Sequence, residues 1–245
     1  MLRGYNGVAT SERRIRETVF FGCGRERGVN LILIGAQGSG KGTQAGLLVE
    51  KLGIRHLSSG DIFRLAVEQG TPIGLEAKLY MDRGELVPDR ITIQLILDIL
   101  ASPGYAAGVV LDGFPRTRDQ ANALDGALPR LDRQIDQAIY LNVPRNILLD
   151  RLSGRYVCSL PQQHVYNIKT KLPQVPGICD IDGSDLIQRS DDTPANIERR
   201  LHIFFESTIQ VVHYYRAQQK LLEIDGNQSI PAVSHALLRG LGLDA

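Results

Sequence analysis

Short apolar runs recur along the chain at residues 31–34, 56–58, 109–111, 138–143 and 221–224, each near strand length. Between them the apolar positions change to a three-and-four spacing, as in Ile91, Leu95, Ile96, Ile99 and Leu100 after Asp89. Uninterrupted apolar runs separated by amphipathic helices predict βαβ units and a five-stranded parallel sheet with helices on both faces. In such α/β sheets ligands bind beyond the carboxyl ends of the strands. The longest helical pattern runs from Pro194 to about Lys220, with an apolar stripe of Ile197, Leu201, Phe204, Thr208, Val211 and Tyr215. At about 100° per residue Arg200 lies on the flank of that stripe and can reach inward, whereas Arg199 points to the opposite side and is expected to be solvated.

Two stretches interrupt the alternation. Residues 60–87 read as helical, with Gly70, Pro72 and Gly84 as breakers. Residues 154–192 hold Pro161, Pro173, Pro176, Gly177 and Gly183 among short extended segments, and read as a small β-rich insert. The expected organisation is therefore an N-terminal extension over 1–29 and a core over 30–245. The core carries one insert at about 58–87 and a second, lid-like insert at about 154–192. Open sheets with two such inserts suggest flaps over a cleft.

Composition narrows the setting. With 245 residues and 43% apolar content the chain can bury a substantial core as one domain with insertions, which excludes a disordered or fibrous protein. A formal net charge of +1 provides no general basic field for nucleic acid, so anion recognition must be local. The three cysteines, Cys23, Cys158 and Cys179, are too few for a disulfide framework and point to a reducing, cytoplasmic setting. No apolar run is long enough to span a bilayer, and no membrane partner is expected. Residues 1–29 carry six arginines and three glutamates around a single short apolar patch, so a poorly ordered tail is expected there rather than a targeting segment.

The first strand runs into "GAQGSGKGTQ", residues 35–44, and then into a helix stopped by Gly53. Glycines there let successive backbone N–H groups turn toward one anion, the helix N-terminus adds its dipole, and Lys41 supplies a point charge. This is a phosphate-binding loop of the P-loop NTPase type, formed by Gly38, Ser39, Gly40, Lys41, Gly42 and Thr43. The residue after Lys41 is Gly42 and the hydroxyl comes one later, at Thr43, which leaves direct Mg²⁺ ligation by that hydroxyl open. Asp112 ends the apolar strand of "VVLDGFPR", where a carboxylate can hold hydrated magnesium; a turn or cap role is the plainer alternative.

Several motifs in register extend this reading: "GAQGSGKGTQ", "HLSSGDIFR", "GELVPD", "LDGFPRTRDQ", "LDRLSGR", "LIQRSDDTPANIERRL" and "IDGNQ". In this order and spacing the chain resembles the adenylate kinases in their long-lid form, from about residue 30 to 241. The resemblance implies reversible, Mg²⁺-dependent phosphoryl transfer from ATP to AMP, giving two ADP, by a monomeric enzyme of nucleotide biosynthesis. It further implies that Arg151, Arg155, Val165, Tyr166 and Gln228 join the phosphate loop around ATP. For AMP it implies Ser59, Arg64, Glu85, Leu86, Val87, Gly113, Phe114, Pro115, Arg116, Gln120, Arg189 and Arg200. By position alone Gln120 would be an exposed helical glutamine, so its role in reading the adenine edge rests on the resemblance.

Lys41, Arg116, Arg155, Arg189 and Arg200 are the catalytic candidates, since phosphoryl transfer is mainly positioning and charge neutralisation and the planar arginine fork suits phosphate oxygens. Closing the lid would exclude water. Asp191 and Asp192 can then bond lid arginines, or alternatively cap the helix at Pro194, a role Thr193 also fits.

Departures from the family pattern are Asn167, where a histidine often follows the lid tyrosine, Gln37 in place of a proline, and Ser59 where threonine is common. The last leaves a kinase for another nucleoside monophosphate as the nearest competitor, against which stand the long lid and Thr117. A silent nucleotide-binding regulator is a second alternative, against which stand Lys41, Asp112 and the arginines. Many relatives hold structural zinc in the lid. Here Cys158, Cys179 and Asp182 are candidate ligands, and Pro161 stands in the place of a fourth. His164 can substitute; a metal-free lid with two packed thiols, or a disulfide, are the other readings.

Overall fold

The computed structural model describes residues 28–160, 164–189 and 191–243. The expectation for the N-terminal extension therefore falls, up to residue 27, outside the described residues, as do Cys23 and Pro161. Five parallel strands form the central sheet in the order β2-β3-β1-β4-β8: β1 Val29–Ile34, β2 Arg55–Ser58, β3 Gly108–Asp112, β4 Gln137–Asn142 and β8 Leu221–Asp225. All five apolar runs are strands, lengthened by one or two residues at an end, except that Val143 lies just past β4.

The centre of the sheet is buried on both faces because its inner strands, β1, β3 and β4, are apolar on both. Ile32, Ile34, Val109 and Leu111 pack with α4 (Asp89–Leu100), α5 (Arg118–Ala127), α6 (Arg145–Ser153), α7 (Pro194–Ile203) and α8 (Ile209–Ala217). Leu31, Leu33, Val110, Ile139 and Leu141 pack on the other side with α1 (Lys41–Leu52) and α9 (Ile230–Gly240). Helices α7 and α8 are joined through a π-helical stretch, Phe204–Thr208, and the whole stripe from Ile197 to Tyr215 is buried as the periodicity requires.

The first insert consists of α2 (Ser59–Glu68) and α3 (Pro72–Met81), each started by a hydroxyl cap: Ser58 accepts from the Asp61 N–H and Thr71 from the Gly74 N–H. The second holds a three-stranded antiparallel sheet with β5 (Arg155–Cys158) between β6 (Val165–Asn167) and β7 (Leu186–Ile187). Among the described residues its own buried cluster is Cys158, Tyr166 and Cys179, with Tyr156 and Leu186 packed against it. Leu172, Val175 and Ile181 stay exposed, so this insert buries little apolar surface of its own.

Candidate active site

A cleft of about 1110 Å³ opens at the carboxyl ends of the strands, between the sheet and the two inserts. On its floor the loop between β1 and α1 places Gly40 at the helix N-cap with φ 96° and no side-chain cap. A side chain would strain that backbone, and the absence of a cap leaves the first-turn N–H groups of α1 free for an anion. Lys41 Nζ is held by the Gly35 and Ala36 carbonyls at 2.8 and 3.1 Å. Burial lowers its pKa to about 8; Asp112 opposes that fall, while Arg116, Arg155 and Arg200 add to it.

Asp112 ends β3 opposite Ser58, with its Oδ2 3.5 Å from His56 Nε2. Burial pushes its carboxyl up, but the close approach of His56 and the charges of Lys41 and Arg116 outweigh that and keep it below the ordinary range. A methyl placed on Gly42 would meet nothing nearer than Asp112 Oδ2, 4.0 Å away. The loop and the carboxylate therefore face each other across open space. No sequence motif singles out His56; only its position at the start of a strand-length run signals it.

Beyond β3 the chain turns at Gly113, φ 76°, where an added Cβ would lie 2.8 Å from Ser59 Oγ. The Gly113 carbonyl accepts from Ser59 Oγ at 2.8 Å and from Arg116 Nε at 2.7 Å, which fixes both side chains at the cleft. Gln120 is not the exposed helical residue its position alone suggested. It is buried, accepts from the Arg116 N–H at 2.7 Å and donates to Asp89 Oδ1 at 2.7 Å, leaving one N–H and one lone pair of its amide uncommitted.

Cations converge from different elements: Lys41, Arg64, Arg116, Arg155, Arg189 and Arg200 all line the cleft. Burial lowers the pKa of Arg116, and the charges of Arg200, Arg64 and Arg189 lower it further against the opposing pull of Asp112. For Arg189 burial works the same way but the Asp191 carboxylate more than offsets it. Two carboxylates organise the group. Asp191 takes Arg189 at 2.8 and 2.6 Å and Arg200 at 2.7 Å. Asp192 takes Arg155, from the lid strand β5, at 2.8 and 2.5 Å and Arg200 at 2.9 Å. Thr193 caps α7 through the Asn196 N–H, so the helix-cap alternative for the aspartates is set aside.

The donor-side candidates also gather. Arg151 donates to the Gly38 carbonyl at 3.3 Å and the Gly226 carbonyl at 3.1 Å; Val165, Tyr166 and Gln228 line the same cleft. Asn167 is committed elsewhere: its Nδ2 donates to the Arg151 carbonyl at 2.9 Å and its Oδ1 accepts from the Lys169 and Thr170 N–H groups at 2.8 and 3.1 Å. It pins the base of the lid to the end of α6. Glu85, Leu86, Val87 and Pro115 line the cleft with the other acceptor-side candidates, and Phe114 is the one exception. The turn at Gly113 directs its ring into the core, where it is 1% exposed.

Among the described residues, the buried side-chain atoms without a hydrogen-bond partner are Gln37 Oε1, Ser39 Oγ, His56 Nε2, Arg64 Nε and Arg200 Nε, and every one belongs to a residue lining this cleft. Buried polar groups are normally satisfied, so their concentration here marks a polar ligand site.

In the lid, Cys158 Sγ and Cys179 Sγ are free thiols, each 3.5 Å from His164 Nδ1, which lies 2.9 Å from Asp182 Oδ2. The disulfide reading does not describe this structure. The four donor atoms lie within 4.8 Å of one another. Cys158 is pushed up by burial; Asp182 is held well below the carboxylate range by its Ser184 hydrogen bonds.

The family model described as adenylate kinase matches residues 33–220. The chain belongs to the adenylate kinase family. It is 47% identical to an adenylate kinase of Moorella thermoacetica over 88% of this chain and 99% of the relative, and 45% identical to one of Gloeobacter violaceus over 86% and 97%. A third, from Shouchella clausii, is 45% identical over 84% of this chain and 94% of its own length. The activity is that of the family, reversible phosphoryl transfer between ATP and AMP, and the competing readings are not favoured. Among the described residues no helix is long and apolar enough to cross a membrane.

Proposed function

We propose that ATP binds with its β- and γ-phosphates on the loop from Gly38 to Thr43 and that AMP lies under the first insert, with the transferring phosphoryl between them. The observation that carries this reading is the convergence of Lys41 with Arg64, Arg116, Arg155, Arg189 and Arg200 on the cleft that also holds the five unsatisfied buried groups found among the described residues. Arg151, Gln228, Val165 and Tyr166 surround the donor nucleoside. Ser59, Arg64, Glu85, Leu86, Val87, Gly113, Pro115 and Gln120 surround the acceptor, with the free amide edge of Gln120 available to adenine. An AMP phosphate oxygen attacks the γ-phosphorus, the bond to the β-bridging oxygen breaks, and the electron pair stays on the departing ADP. Arg116, Arg155, Arg189 and Arg200 neutralise the equatorial and bridging oxygens as charge redistributes, without forming any covalent intermediate.

The residues also fit two metals. Asp112, facing the open space beside Gly42, would hold hydrated Mg²⁺, with Thr43 at its edge; when bound, the ion neutralises the β- and γ-oxygens. Cys158, His164, Cys179 and Asp182 would hold Zn²⁺. A tetrahedral ion with zinc–sulfur and zinc–nitrogen legs of typical length separates S and N by about 3.6 Å, matching the 3.5 Å found on both sides of His164. The small apolar cluster of the lid gives such a staple a structural role. The free buried thiols suit a reducing compartment, and a cytoplasmic monomer is the working assignment.

Asp112→Asn tests the core of this reading. It is expected to raise the Mg²⁺ concentration needed for half-maximal rate and to lower kcat by on the order of a hundredfold. Unchanged magnesium dependence would remove Asp112 from the metal site.

A further inference from the structure

Arg199 points away from the apolar stripe of α7, as its helical position predicts, yet it is not simply solvated. Its Nη1 lies 3.1 Å from Glu85 Oε1 and donates to the Arg83 carbonyl at 3.3 Å. One turn earlier, Asn196 Nδ2 donates to the Asp82 carbonyl at 3.1 Å. The turn they hold, residues 82–85, ends α3 and leads into Glu85, Leu86 and Val87, which line the cleft. Its backbone is closed by the Gly84 N–H to Met81 and the Glu85 N–H to Tyr80, both at 2.9 Å. A Cβ at Gly84 would come within 3.3 Å of the Asn196 carbonyl, so the turn lies directly against α7. The other carboxylate oxygen of Glu85 takes Arg83 at 3.0 Å, which orients Glu85 toward Arg199.

We infer that Asn196 and Arg199 are positioning residues for the acceptor nucleotide: they latch the 82–85 turn onto α7 and so hold the Glu85–Val87 wall of the acceptor pocket in place. The inference rests on reading that pocket as the AMP site. Two adjacent residues of one helix then serve both inserts. Arg199 fixes the exit of the first, and Arg200, through Asp191 and Asp192, meets the arginines of the second. Among the described residues, none of the hydrogen bonds of the latch reaches the phosphate loop, so its loss should affect acceptor binding and spare the chemical step.

The test is steady-state kinetics of Arg199→Ala, Asn196→Ala and the double variant, with Arg64→Ala as a control inside the acceptor site. Each single latch variant is expected to raise KM for AMP roughly two- to fivefold, in keeping with an exposed ion pair or hydrogen bond, and the double variant more. KM for ATP, saturating kcat and melting temperature should stay at wild-type values. Arg199→Lys should recover much of the loss, and the wild-type advantage over Arg199→Ala should shrink at about 0.5 M salt. If Arg64→Ala raises KM for AMP and the latch variants do not, the latch is refuted while the site reading stands. If Arg64→Ala also leaves KM for AMP unchanged, the acceptor site itself is misassigned and the inference falls with it. Parallel loss of kcat, both KM values and melting temperature in the latch variants would mark a general structural role and equally refute the inference.

Discussion

Replacing Arg200 by alanine separates the catalytic and structural uses of one buried cation. The side chain is 9% exposed and joins Asp191 at 2.7 Å and Asp192 at 2.9 Å. Removing one partner of a buried ion pair commonly costs about 3–5 kcal/mol because a charge is left uncompensated. Here neither aspartate is abandoned. Asp191 keeps Arg189 through two hydrogen bonds, and Asp192 keeps Arg155 through two more. The stability cost should therefore lie at the low end of that range, at about 3 kcal/mol for the two charged hydrogen bonds lost.

The kinetic cost should be larger. Arginines that neutralise a transferring phosphoryl contribute about 10³-fold or more, which is about 4 kcal/mol in the barrier. Arg200→Ala should thus reduce kcat by about a thousandfold in a coupled assay at saturating ATP and AMP, in protein that still melts cooperatively. Arg199→Ala, its neighbour, should leave saturating kcat unchanged. A kcat within tenfold of wild type for Arg200→Ala would refute the neutralising role. So would residual activity that merely follows the folded fraction, since the residue would then act through stability.

Two further outcomes follow from the geometry. Lys41, lowered by burial to about 8, is charged below that pH and neutral above it. Mg·ATP affinity should therefore weaken as pH rises from 7 to 9.5, approaching tenfold per unit above 8, and pH-independent titration calorimetry over that window would contradict the assignment. For the free protein the sign is opposite: with the folded value below the ordinary 10.5, the unfolded chain binds more protons between pH 8 and 10.5, so this group's contribution to stability grows with pH there. In the lid, protein purified without chelator should carry one equivalent of zinc by elemental analysis and lose it in Cys179→Ser, with a fall in melting temperature; metal-free wild-type protein would remove the zinc reading.

Elements set by local pattern were legible in the sequence. The strands follow from runs apolar on both faces, and the α7–α8 stripe from its three-and-four spacing. The phosphate loop follows from glycines between a strand and a helix. Pairings made across the fold were not legible. Asp192 reads equally well as a helix cap until Thr193 is seen to cap α7 and Arg155 to reach it from 37 residues away. His164 closes the thiol cluster only because the β5–β6 hairpin folds it back beside Cys158. Phe114 was carried along with its motif, yet the turn at Gly113 buries it. Arg199 was placed on the correct side of its helix, but nothing local reveals that Glu85, 114 residues earlier, meets it there.

The most direct measurement of the central claim is the turnover of the full chain with ATP and Mg²⁺ against AMP, GMP, UMP and CMP as acceptors, with GTP as the alternative donor. The account predicts that AMP with ATP exceeds every other combination by at least an order of magnitude and yields two ADP per AMP consumed. Preference for a pyrimidine monophosphate, or tight ATP binding without transfer to any acceptor, would contradict it.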